Sequence, residues 1–165
     1  MRAVIRIQRC LCRDEGSAIV ETAVASMIFL SMLIGAFQGM LALYTSDYVS
    51  DVARQASRYA IVRGSTSCTN TPSLSNCNAT AAQIQSHVKS NSYPGIKTSK
   101  LTITTSWLTA SGTVPATWSA CTSGTCNAPG NMVRVKATYA FPLSIPFVPK
   151  STFNFTSTSN MVISQ

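Results

Sequence analysis

Gly16-Ser17-Ala18-Ile19-Val20-Glu21-Thr22-Ala23 opens the longest apolar run in this chain, and no charged residue interrupts it from Thr22 to Tyr44. Wound as a helix, those 23 residues reach ~35 Å, enough to cross a hydrocarbon core of ~30 Å. The alternative is a buried core helix of a soluble domain. So long an uncharged run in a chain of 165 residues argues against it.

The flanks give an orientation. Arg2, Arg6, Arg9 and Arg13 precede the run, whereas Asp47 and Asp51 follow it and no basic residue appears until Arg54. The positive-inside rule then keeps the N-terminus cytoplasmic and exports the remainder. A cleaved secretory signal would need an apolar region of only ~7–15 residues closed by small residues. This run is longer and lacks such a site. A lipoprotein signal fails too, because Cys10 and Cys12 stand before the apolar run rather than after it.

Charge placement narrows the function. The acidic residues are Asp14, Glu15, Glu21, Asp47 and Asp51, and from Val52 to Gln165 there is no carboxylate side chain. Paired carboxylates for acid–base work cannot be built there, nor a clustered-carboxylate magnesium or calcium site. A Ser-His-Asp triad would have to borrow its Asp from the helical region. The expectation is a protein that is not an enzyme and has no cofactor or metal.

Four cysteines, Cys68, Cys77, Cys121 and Cys126, lie beyond the membrane run. Their even number and short spacings suit two local disulfides in an oxidising compartment. Three connectivities are open to them. Neither spacing is a good zinc knuckle. The roles of Cys10 and Cys12 are not legible.

Past Tyr44 the helical pattern continues. Tyr48, Val49, Val52, Ala53, Ala56 and Ala60 recur at three- and four-residue steps, one apolar stripe. Asp47, Asp51, Arg54 and Arg58 take the other side, with Asp51 placed to meet Arg54. Gly64 is the expected C-terminal stop. Ser65–Asn78 reads as a loop clipped by Cys68–Cys77. Thr80 and Gln83 form a capping-box pattern opening a short helix to about Ser90, with Ile84 and Val88 on its apolar face. His87 lies one step off that face and reads as an exposed or packing side chain, since nothing nearby could share a metal.

Strands follow. Leu101, Ile103 and Trp107 alternate with Thr102 and Thr104. Residues 109–131 read as a long loop carrying Cys121 and Cys126, which are expected to pair. Val133, Val135, Ala137, Tyr139 and Phe141 alternate with Arg134, Lys136 and Thr138, a strand with one wet face. Phe153, Phe155, Met161 and Ile163 share a face of the last strand. The expected fold is α+β: a long transmembrane and amphipathic helix packed on a small antiparallel sheet of about three strands, with two disulfides.

The junction resembles a class III prepilin-peptidase site: a short basic leader ends in Gly16, and an apolar helix follows with a glutamate at its fifth residue. Gly16-Ser17-Ala18-Ile19-Val20-Glu21-Thr22-Ala23 resembles, more narrowly, the TadE-like family of tight-adherence (Tad) pilus pseudopilins. Ser50-Asp51-Val52-Ala53-Arg54-Gln55-Ala56-Ser57-Arg58-Tyr59-Ala60 matches that family's amphipathic continuation, and Val133–Pro142 resembles its closing strands. The likeness is specific over residues 16–63 and looser over 130–163. Thr22 departs from it, standing where members usually carry phenylalanine.

The resemblance implies a leader at 1–16, a long helix at 17–63 and an extracytoplasmic head at 64–165, with 17–44 in the inner membrane and 45–63 amphipathic. It implies cleavage between Gly16 and Ser17 by a prepilin peptidase, and Glu21 as the assembly-critical charge. The partners implied are other pilin or pseudopilin subunits, the inner-membrane pilus platform and the membrane itself. An uncleaved, signal-anchored extracytoplasmic binding module is the alternative.

Three weaker signals remain. Ser31, Gly35 and Gly39 form a small-xxx-small ladder suited to close helix packing. Pro142-Leu143-Ser144-Ile145-Pro146-Phe147-Val148-Pro149 is an uncharged apolar turn; exposed, it would be a contact patch for neighbouring subunits, but a cover over the core, which needs no partner, is the expected role. Residues 46–165 carry nine basic and two acidic side chains, but no motif of a specific nucleic-acid reader accompanies them.

Overall fold

The computed structural model describes residues 2–91, 93–112, 117–146 and 148–165, with side chains from Gly16 onward. A single helix, α1, runs from Arg2 to Ile61. Residues 42–142 and 152–165 form one compact unit, the head; residues 1–41 and 143–151 form another.

Within the head, the last turns of α1 provide the wall on which everything else packs. Tyr48, Val49, Val52, Ala53, Ala56 and Ala60 are all buried, while Asp47, Asp51, Arg54 and Arg58 are exposed. The apolar stripe read from the sequence is the core face. Three alanines on it keep the helix surface flat, so β-branched side chains can approach the backbone closely.

A one-turn helix, α2 (Ser67–Asn70), and a longer one, α3 (Ala81–Ser90), follow. Thr80 and Gln83 make the reciprocal capping box that their spacing predicts. It satisfies two backbone donors at the start of α3. Ile84 and Val88 are fully buried. His87 is exposed and its ring lies flat on Tyr59, centroids 3.9 Å apart. The Arg63 guanidinium sits 3.8 Å from the same ring's centre.

The sheet is four-stranded, in the order β2-β1-β3-β4. Its strands are β1 (Leu101–Ala110), β2 (Trp118–Ala120), β3 (Met132–Leu143) and β4 (Ser151–Val162). The β1–β3 register is antiparallel, from Leu101 opposite Tyr139 to Leu108 opposite Met132. Arg134 donates to the Asn160 side chain, and Thr138 shares a hydrogen bond with Thr156. Those two pairs step in opposite senses along β3 and β4, as antiparallel neighbours must. Val133, Val135, Ala137, Tyr139 and Phe141 are buried as their alternation predicts.

Four details depart from expectation. Residues 109–131 are not all loop: β1 reaches Ala110, and Trp118–Ala120 pairs back on it as a short edge strand. Asp51 does not meet Arg54; its Oδ2 accepts from Gln55 at 2.6 Å and from Tyr93 at 3.0 Å. Both bonds fall on Oδ2, one from a side chain a turn further on and one from a tyrosine in the loop after α3. Phe153 shares the inward-facing parity of β4 but is 53% exposed. Gly64 does follow the end of α1, but without the left-handed backbone typical of a glycine stop. A Cβ there would collide with the Gln165 carbonyl oxygen and lie 2.6 Å from Ile163 Cγ2 and 2.8 Å from the Asn127 carbonyl.

Both disulfides are local, Cys68–Cys77 and Cys121–Cys126, with Cα separations of 5.0 and 5.6 Å. Each closes a loop that has little apolar burial of its own. In the chain-entropy picture, loops of this size contribute about 2–3 kcal/mol each. Replacing Cys68 and Cys77 together by serine is expected to lower the head's unfolding free energy by about that amount. Urea denaturation under non-reducing conditions measures it.

The Tyr48 hydroxyl is buried without a hydrogen-bond partner, beside the rings of Tyr93 and Tyr139. Burial, reinforced by the neighbouring tyrosines, pushes its pKa up to about 12. The folded state then holds this proton more tightly than the unfolded chain. The contribution to stability is complete below the ordinary tyrosine value of 10.0 and is lost as pH rises toward 12. Tyr48→Phe removes the unpaired hydroxyl, so it is expected to stabilise the head by up to about 1 kcal/mol near neutral pH. It should also flatten the alkaline fall, as seen in thermal melts across that pH range.

Candidate functional site: the amino-terminal helix face

The apolar run is not a core helix. Residues Gly16–Ile61 contain a membrane-length apolar window of mean hydropathy 2.0, none of it buried. Met32 is 75% exposed and Met40 70%. So much apolar surface needs a nonaqueous environment or partner helices. Its hydroxyls are compatible with lipid because the helix satisfies them. Thr22 Oγ1 donates to the Ala18 and Ile19 carbonyls, Ser26 to Ala23 and Ser31 to Ile28. Thr22, the departure from the family pattern, therefore adds no unpaired hydroxyl to the segment.

Glu21 is exposed near the start of this surface. Ser17, Val20, Glu21, Val24, Ala25 and Ile28 line one open face, because steps of three and four residues bring side chains to the same side of a helix. Ser17 and Glu21 are thus one turn apart on a face that is otherwise apolar. Further along, a Cβ at Gly35 or Gly39 would meet nothing within 4 Å. The ladder of small residues is open to a neighbour.

Among the described residues no group of three or more His, Cys, Asp or Glu side chains could hold a metal ion. Sequence reading missed one polar feature of this unit. Gln38, the one amide in the apolar run, donates from Nε2 to the Ser144 carbonyl at 3.5 Å. The link spans more than a hundred residues of chain, so only the fold could reveal it.

The chain combines an exposed apolar amino-terminal helix of membrane-spanning length with a small α+β head that carries two disulfides. Residues 16–58 match the sequence model of the family described as TadE-like protein. The chain thus carries a TadE-like segment, which supports a component associated with Tad pili and a membrane-anchored, structural character. No curated protein and no solved structure matches the chain.

Proposed function

We propose that this protein is a minor pseudopilin of a Tad pilus or related secretion machine, made as a prepilin and trimmed between Gly16 and Ser17. The observation that carries the reading is the placement of Gly16, Ser17 and Glu21 at the head of an unburied apolar helix, inside the segment matched by the TadE-like family. The basic leader stays cytoplasmic and residues 17–44 are held in the inner membrane. The subunit then joins other pilin-like subunits through helix packing on the inner-membrane platform. Ser31, Gly35 and Gly39 supply the close-approach face for that packing. The head faces away from the cytoplasm, where Cys68–Cys77 and Cys121–Cys126 can oxidise.

Processing is tested on the protein from its native membrane. Mass spectrometry of the mature amino terminus is expected to find a chain beginning at Ser17. Gly16→Leu should leave the longer, untrimmed form. A wild-type protein that retains its basic leader would make this an uncleaved anchor, and normal trimming of Gly16→Leu would remove Gly16 from the recognition site.

A further inference from the structure

Residues 143–151 group with the apolar amino-terminal helix rather than with the head. Pro146 and Pro149 are exposed, Val148 is 48% exposed, and Leu143 and Ile145 are half-buried. A short turn, with Val148 N donating to the Ile145 carbonyl at 3.2 Å, shapes the segment. The first charge after it is Lys150.

The contact with Gln38 sets the level of this segment. Gln38 lies six residues before Tyr44, the end of the apolar run, which is ~9 Å along the helix. A loop bonded to Gln38 therefore lies alongside the outer end of the membrane helix. Irregular backbone is not tolerated deep in hydrocarbon, but at ~5–10 Å into the headgroup–acyl boundary apolar side chains can be buried while backbone groups still reach water. The hydrogen bond also gives the single amide of the apolar run a partner at a depth where water is scarce. Lys150 can then extend its ammonium toward lipid phosphates.

We infer that Leu143, Ile145 and Val148 form an interfacial wedge, seated in the outer leaflet beside the membrane helix. The partner is the headgroup–acyl boundary of the bilayer, a second attachment continuous with the first. The wedge fixes the height and rotation of the subunit in the membrane before assembly. This inference rests on the membrane-anchor reading, and the test separates the two.

The full chain is reconstituted in phosphatidylethanolamine–phosphatidylglycerol vesicles carrying bromine near the headgroup or near the acyl terminus. Single tryptophans replace Ile145, Leu33 or Ala82 in a Trp107→Phe, Trp118→Phe background. Ile145→Trp is expected to emit at shorter wavelength than Ala82→Trp and to be quenched several-fold more, chiefly by the shallow bromine. Leu33→Trp should respond chiefly to the deep bromine. Quenched Leu33→Trp with water-like, unquenched Ile145→Trp overturns the wedge and leaves the anchor standing. If neither is quenched, the anchor fails and the wedge with it. If Ile145→Trp becomes dry only when partner pilins are co-reconstituted, the segment is a protein contact and the wedge is wrong. Should the tryptophan-free background misfold, the wild-type chain answers instead. Nitroxide-labelled lipids should then broaden the Ile145 and Val148 methyl resonances, and sharp resonances would overturn the proposal.

Discussion

Gly64→Ala is expected to destabilise the head by about 3 kcal/mol or more, at or above the upper end of ordinary overpacking. The new methyl would be driven into the Gln165 carbonyl oxygen, and Ile163 Cγ2 and the Asn127 carbonyl crowd the same space. Two of those three are backbone atoms, which cannot rotate away as a side-chain end can. The Asn127 oxygen and the backbone leading to Gln165 are also tied from other directions. Gly130 N donates to the Ile163 carbonyl, Ser164 N to Ile61 and Ser65 N to Asn127. Relief of the clash must therefore disrupt the seam joining the end of α1, the loop after the second disulfide and the residues following β4.

Urea denaturation of the full chain, followed by near-ultraviolet circular dichroism of the head, reads the loss. Gly39→Ala is the matched control, since nothing lies near its Cβ; it should leave the head's stability unchanged within about 0.5 kcal/mol. A Gly64→Ala protein as stable as wild type would mean that this seam can open at little cost.

The second large effect is expected at Glu21. A carboxylate near the start of a membrane helix costs a few kcal/mol to bury at the bilayer centre, but near the interface it can reach water. Helix-to-helix packing in an assembly would remove that route and demand a positive partner. Along α1 the next basic residues are Arg54 and Arg58, about nine turns further on. Trimming at Ser17 would create an α-amino group at the right level on a neighbouring subunit. Processing and registry would then be linked by one charge pair.

Glu21→Gln is accordingly expected to leave expression, membrane insertion and trimming intact while sharply reducing incorporation into the assembled machine. Quantitative immunoblotting of sheared pili against membrane fractions measures this. Piliation at the wild-type level in Glu21→Gln would reduce Glu21 to an interfacial polar residue. Gly64→Ala and Glu21→Gln are expected to fail in opposite ways, the first by destabilising the head and the second by reducing assembly with the head intact.

The sequence by itself determined the parts of this protein governed by periodicity and charge. The apolar run, the buried stripe Tyr48–Ala60, the Thr80–Gln83 cap and the alternation of β3 each depend on neighbours within a few positions along one element. The TadE-like segment was legible because its motif is contiguous. Tertiary structure alone decided matters in which distant segments compete for one place. Asp51 bonded Gln55 and Tyr93 instead of Arg54 because Tyr93 arrives from beyond α3. Trp118–Ala120 became a strand because β1 offered it an open edge, not because three residues show a period. Gly64 is required by the approach of residues Asn127, Ile163 and Gln165 rather than by the helix end it follows. Residues 143–151 group with the amino-terminal helix, where the Ser144 carbonyl accepts from Gln38, a pairing across the chain that no local pattern announces. Local patterns record which face a residue takes, whereas long-range contacts depend on chain closure that no short window contains.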